Sequence, residues 1–161
     1  MAKIKRSQVA TYVNATGAAT STGTVYSLLG VGVPSSTPSM NPKTTEETYI
    51  HQDTANISVD SYAPTMPVEM TAYTDDAVFV WLDGIRVNRK VLSDAESSIV
   101  EVRFYQTSGS GAYPATKQAV SVQIDDGLGG DGGSPATVNF TFNYMGDPVQ
   151  GSFNPTTKVF S

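Results

Sequence analysis

Cysteine is absent from this 161-residue chain, which excludes disulfides, thiolate chemistry and cysteine-based zinc sites together. Histidine occurs once, as His51 in TYIHQD. Without a second histidine or a cysteine it builds neither a familiar zinc site nor a Cys-His pair, and it is the only candidate base for a Ser-His-Asp triad. A surface or interface histidine is the plainer account. Charge is also scarce: charged residues make up 16%, and a net charge of -5 opposes a sequence-independent grip on nucleic acid, which needs cations facing phosphate. No run approaches the ~20 apolar residues of a membrane span, and the basic start MAKIKRSQVATYV lacks the apolar core of a signal peptide. The expectation is a protein soluble where it is made, with no membrane partner. Neither G-x-S-x-G, a Walker A loop, H-E-x-x-H nor a dinucleotide-binding glycine signature occurs, so no enzyme activity and no cofactor is expected.

What is present is patterned for strands. Hydrophobic residues at 39% and aromatics at 9% suit one folded domain spanning 1–161, long enough to bury roughly 70% of its unfolded surface. The chain is organised around QAVSVQIDDGLGGDGGSPATVNFTFNYMGDP, Gln118 to Pro148. In its first limb Val120, Val122 and Ile124 share one face, while Ser121, Gln123 and Asp125 share the other. In its second limb Val138, Phe140, Phe142 and Tyr144 oppose Asn139, Thr141 and Asn143. This period of two marks two half-buried strands of a hairpin, apolar on one face and wet on its reverse. Between them Asp126, Gly127, Leu128, Gly129, Gly130 and Asp131 form a glycine-rich tip. Its aspartates invite a calcium reading, but the spacing fits neither an EF-hand nor the calcium nonapeptide, and a solvated or partner-docking loop is simpler.

Elsewhere, residues 1–23 read as an N-terminal arm with a short strand over Ser7 to Asn14, anchored by Val9 and Tyr12. Val25 to Val33 reads as a strand or buried turn, because two glycines and Pro34 oppose a helix. Three further β segments are expected at Thr44 to His51, Asn56 to Tyr62 and Met66 to Tyr73. The first two form a hairpin projecting near 44–62, with a second projection near 125–136. One helix is predicted over Asp75 to Val91: Asp75 or Asp76 caps it, and Val78, Phe79, Leu82 and Ile85 recur at helical spacing. Arg86, Arg89 and Lys90 lie near its end. Ser98 to Gln106 alternates as a strand, Ser108 to Ala112 turns, and Phe153, Val159 and Phe160 close the chain. Glu46, Glu47, Asp53, Asp60, Glu69, Asp75 and Asp76 crowd the middle, where a solvated acidic face is a simpler account than an acid/base pair. The fold class implied is mainly β, an antiparallel sandwich or barrel with one flanking helix.

The segments AKIKRSQVATYVN, NPKTTEETYIHQD, PVEMTAYTDDAVFVWLDGIRVNRKV and VSVQIDDGLGGDGG followed by VNFTFNYMGDPVQGSF resemble the major tail tube protein of long-tailed, non-contractile bacteriophages. The likeness covers most of the chain, in order and pattern of elements. It implies two packed antiparallel sheets with a flanking helix, six copies closing into a ring, and rings stacking into a tube that conducts DNA. It further implies location in the virion tail after synthesis in the host cytoplasm. The implied partners are further copies of the chain and tape measure, tail terminator and distal tail proteins, with DNA passing unbound.

If each of six copies gives four strands, 24 strands at ~4.8 Å close a backbone cylinder of about 37 Å, wide enough for a duplex once ~10 Å of side chains is subtracted. Ser121, Gln123, Asp125, Asn139, Thr141 and Asn143 are then the candidate lumen face, or else simply face outer solvent, and Asp126 to Asp131 the candidate inter-ring contact. A capsid decoration or other virion β-sandwich protein is the alternative. A hydrolase or carbohydrate-binding domain would need a pocket of convergent polar groups.

Overall fold

A computed structural model describes residues 1–16, 24–107 and 109–161. Part of the expected N-terminal arm and the first residue of the turn at 108–112 therefore lie outside the described residues. A short 3-10 turn, Arg6–Gln8, leads into β1, Val9–Val13, and β2 is Ser27–Leu29. Then come β3, Pro42–Glu47, β4, Asn56–Tyr62, and β5, Thr65–Thr71. Helix α1 spans Ala77–Asn88, and a 3-10 turn, Leu92–Ala95, joins it to β6, Glu96–Arg103. The long strands β7, Tyr113–Gly129, and β8, Thr137–Asn154, precede the short β9, Val159–Phe160.

Seven strands form one antiparallel sheet in the order β2-β1-β6-β7-β8-β5, with β9 added on β8, while β3 and β4 pair only with each other. The mainly β fold with one flanking helix is the expected class, with its two sheets very unequal. The main sheet carries a core on each face, at opposite ends. On one face α1 lays Val78, Phe79, Leu82 and Ile85 over Met66, Val68 and Met70 of β5, Val120 and Val122 of β7 and Phe140 and Phe142 of β8. Val120, Val122, Phe140 and Phe142 are positions that alternation assigned to the apolar face. On the reverse face Tyr12, Tyr26, Val100, Val102, Ala115 and Phe153 form a second cluster, closed by Phe160 of β9. Phe153 stacks on Tyr12 at a ring distance of 4.4 Å. Beneath β9 sits Gly151, where a Cβ would strike the carbonyl of Ser161 and the ring of Phe160. Glycine is thus required by the close approach.

The helix is shorter than the predicted Asp75 to Val91. Asp76, in extended conformation, accepts from the Val78 N–H and so starts it. Arg89 at φ 48° stops it, with the Lys90 N–H returning to the Ile85 carbonyl at 3.1 Å. An αL residue closes the last turn, a place that glycine usually takes. The Gly84 position faces open space. The first middle strand ends at Glu47 and the third at Thr71, because Gln52 turns back to Tyr49 and Thr71 pairs with the Gly32 carbonyl. At the tip, pairing continues into the glycine tract as far as Gly129, since backbone ladders need no side chain, with register shifts around Asp126.

Candidate functional site

The reverse face of β7, β8 and β5, opposite the helix, brings the six candidate lumen residues together. Ser121 lies opposite Asn143, and Gln123 opposite Thr141. Thr141 donates its hydroxyl to Asp125 at 2.6 Å, Gln123 donates its amide to the other oxygen of Asp125, and Asn143 donates to Gln123 at 3.3 Å. Asp126 joins them: the register shift between Ile124 and Asp126 turns it toward Asn139, whose amide donates to it at 2.8 Å. Bulges re-aim side chains in this way. Bonds of this kind fix the orientation of both carboxylates. Gly127, Leu128, Gly129, Gly130 and Asp131 continue past this network as the exposed projecting end.

Strand β5 extends the face. Thr65, Pro67 and Glu69 lie opposite Asn143, Thr141 and Asn139, and Glu96 at the start of β6 lies opposite Ser121. The face therefore carries Glu69, Glu96, Asp125 and Asp126 among amides and hydroxyls. From Ser121 onward it carries no lysine or arginine, the chain having none between Lys117 and Lys158, while Lys117 lies further along the same face of β7, opposite Val100. Sequence reasoning missed Glu69 and Glu96. The alternation of TMPVEMT would have put Glu69 opposite Met66, Val68 and Met70, but only the register shows which strand β5 joins. Next to this face a recess of about 350 Å³, lined by residues including Ser36, Glu69, Asp125 and Asn139, runs beside the segment that covers the β5 edge. There Ser36 donates to the Pro67 carbonyl at 3.1 Å, and Ser39 pairs with Thr65. Covering an edge strand blocks uncontrolled strand addition.

The segment expected to project near 44–62 forms the β3-β4 ribbon, all of whose strand residues are exposed. Its root is tied by Asn41, at φ 44°, whose amide donates to the Ala63 carbonyl at 3.1 Å and to the Thr65 hydroxyl at 3.2 Å. Asparagine tolerates the left-handed conformation that this corner requires. His51 sits in the ribbon's turn, its ring parallel to Tyr49. Among the described residues no group of three or more histidines, aspartates or glutamates could hold a metal ion.

No protein-family model matches the chain, and no curated protein matches it in sequence. Solved structures do match in fold. A chain in the tail of an empty GTA particle, refined with C6 symmetry, superposes with a TM-score of 0.57 at 9% identity, covering 91% of this chain and 98% of that one. The fold is tail-tube-like. A chain from the sheath/tube terminator structure of the extracellular contractile injection system PVC superposes at 0.52 with 10% identity, covering 93% and 97%. One from the PVC sheath-tube complex superposes at 0.50 with 11% identity, covering 92% and 90%. The tail-tube-like fold thus spans nearly the whole chain.

Proposed function

We propose that this chain is a structural, non-enzymatic subunit of a tail tube, in which six copies close into a ring, rings stack, and genomic DNA passes through the lumen. The observation that carries the reading is the polar face of β7, β8 and β5, with Glu96 of β6. It presents carboxylates and neutral hydrogen-bonding groups opposite an apolar face already filled by α1. A wall on which four carboxylates stand against Lys117 repels phosphate, so that DNA slides instead of sticking. Four adjacent strands, β6-β7-β8-β5, supply the four per subunit that a 24-strand cylinder of about 37 Å needs. The C6 symmetry of the GTA tail favours six copies. The location is the virion tail of a non-contractile phage, after synthesis in the host cytoplasm. Tape measure, tail terminator and distal tail proteins are the neighbours, and the tip Asp126 to Asp131 contacts the next ring.

Electron microscopy of the purified protein at high concentration tests this. Long hollow tubes with the Asp125 face inward are expected. A persistent monomer, or a monomer or trimer that binds heads instead, overturns the reading in favour of a decoration protein. Tubes with that face outward sink the lumen assignment alone.

A further inference from the structure

The pair Asp-Gly occurs three times in the chain, at Asp83-Gly84, Asp126-Gly127 and Asp131-Gly132. Glycine carries no Cβ to shield its amide nitrogen or to restrict its backbone, so an aspartate before it is where a chain most easily attacks its own side chain. The three pairs differ in how they are held. Asp83 is tied to Arg86 by two bonds of 2.7 and 3.0 Å, and Gly84 lies inside α1, where each N–H points along the axis at a carbonyl one turn back. Asp126 accepts the Asn139 amide at 2.8 Å, and Gly127 is held inside β7 between the paired residues Asp126 and Gly129.

Asp131-Gly132 has neither restraint. It begins an exposed turn that closes with the Ser134 N–H on the Asp131 carbonyl at 3.1 Å, with Gly133 at φ 85°. Among the described residues nothing bonds the Asp131 carboxyl or the Gly132 N–H. A Cβ at Gly132 would meet open space.

We propose that Asp131 is a site of spontaneous modification, its side chain closing on the Gly132 amide to a succinimide that reopens as isoaspartate. The Gly132 nitrogen bonds to the side-chain carboxyl carbon of Asp131, and the carboxyl hydroxyl leaves as water with the amide proton. The ring then takes up one water. Opening at the side-chain carbonyl returns aspartate, whereas opening at the backbone carbonyl routes the chain through the side chain and adds one methylene to the backbone of the tip. The sum is an isomerisation that needs no co-reactant. Its consequence rests on the proposed contact of the tip with the next ring: a subunit left unassembled loses the native tip, while docking fixes Asp131 and protects it.

The test incubates the full chain, free and as tubes, warm and at mildly acidic pH. Isoaspartate is read by enzymatic methylation with an isoaspartyl methyltransferase and, residue by residue, by electron-transfer fragmentation of peptides. In the free chain, isoaspartate at 131 is expected to exceed that at 83 and 126 by about tenfold or more, the factor that a local opening step imposes on the two restrained pairs. Gly132→Ala, for which the turn has room, should slow the reaction severalfold, and Asp131→Glu, which would have to close a six-membered ring, should abolish it. No isoaspartate at 131, or equal amounts at all three pairs, overturns the site whatever the state of assembly. Isoaspartate that accumulates at 131 as fast in tubes as in the free chain overturns the protection, and with it the contact of the tip with the next ring, while the site and the tube stand. A chain that isomerises at 131 but forms no tubes overturns the tube reading and supports the site.

Discussion

Thr141 reaches across the β7-β8 pair to donate its hydroxyl to Asp125 at 2.6 Å. With Gln123 on its other oxygen, Asp125 is held in a fixed orientation on the polar face. The local register shift lets Asp126 stand beside it, bonded to Asn139. Two adjacent carboxylates are thus presented at one level of the polar face.

Replacing both, Asp125→Lys with Asp126→Lys, is expected to leave tubes able to form, since both positions are exposed. Such tubes should retain DNA in a salt-dependent way, with a log-log salt slope growing as roughly one unit per added lysine contact. Wild-type tubes should show no such retention. Filter binding across salt concentrations reads this out, and lysine tubes that fail to hold DNA would show that the face does not meet it.

Asp76 is both a cap and a liability. It accepts from the Val78 N–H, yet its second oxygen is buried without a partner, and burial raises its carboxyl above the ordinary value, only partly offset by the backbone bonds. Asp76→Ala should cost about 1 kcal/mol through the lost cap. Asp76→Ser keeps the cap, leaves no buried charge, and should match or exceed the wild type in thermal melts at pH 7. A serine variant as unstable as alanine would contradict this account.

Tyr144 predicts an alkaline limit. Burial, aided by the negative charge of Glu101, raises its phenol from 10.0 to about 12. Because the folded value is the higher one, its contribution is fully present below pH 10 and is lost as pH rises toward 12, where the unfolded chain releases a proton that the folded chain retains. The loss should reach about 2 kcal/mol, with Tyr12, also raised by burial, adding in the same direction. Denaturant titrations between pH 9 and about 12 should show a shallower decline for Tyr144→Phe. An unchanged slope would place the alkaline sensitivity elsewhere.

The two core clusters should differ in what they hold. Phe140→Ala, in the cluster under α1, and Phe153→Ala, against Tyr12 and Tyr26, should each cost about 3 to 5 kcal/mol, both side chains being fully buried. Only Phe153→Ala should release β1 and β9, read as faster amide exchange in Val9–Val13 and Val159–Phe160. Equal exchange across the sheet in both variants would mean that the clusters open as one unit.

Much of this molecule was legible in residue order. Alternation named the apolar face of the main hairpin residue by residue, and Val78, Phe79, Leu82 and Ile85 named the helix stripe. Three features were out of reach. The reach of β7 into the glycine tract was hidden because glycine has weak strand preference but pairs readily once a partner strand is in place. The stops at Arg89 and Glu47 depend on local hydrogen bonds without glycine or proline signals. The membership of Glu69 and Glu96 in the acidic face depends on register with Asn139 and Ser121, partners 70 and 25 residues away in the chain.

The sequence by itself determined which side chains can be wet and which dry, because period two and period 3.6 are properties of a single chain. It also determined a lack of cations from Gln118 to Thr157 and a lack of acids before Glu46. Only the tertiary structure decided that β5, β8, β7 and β6 lie side by side. That order gathers four scattered carboxylates on one face, since strand neighbours are chosen by long-range packing that local pattern does not encode.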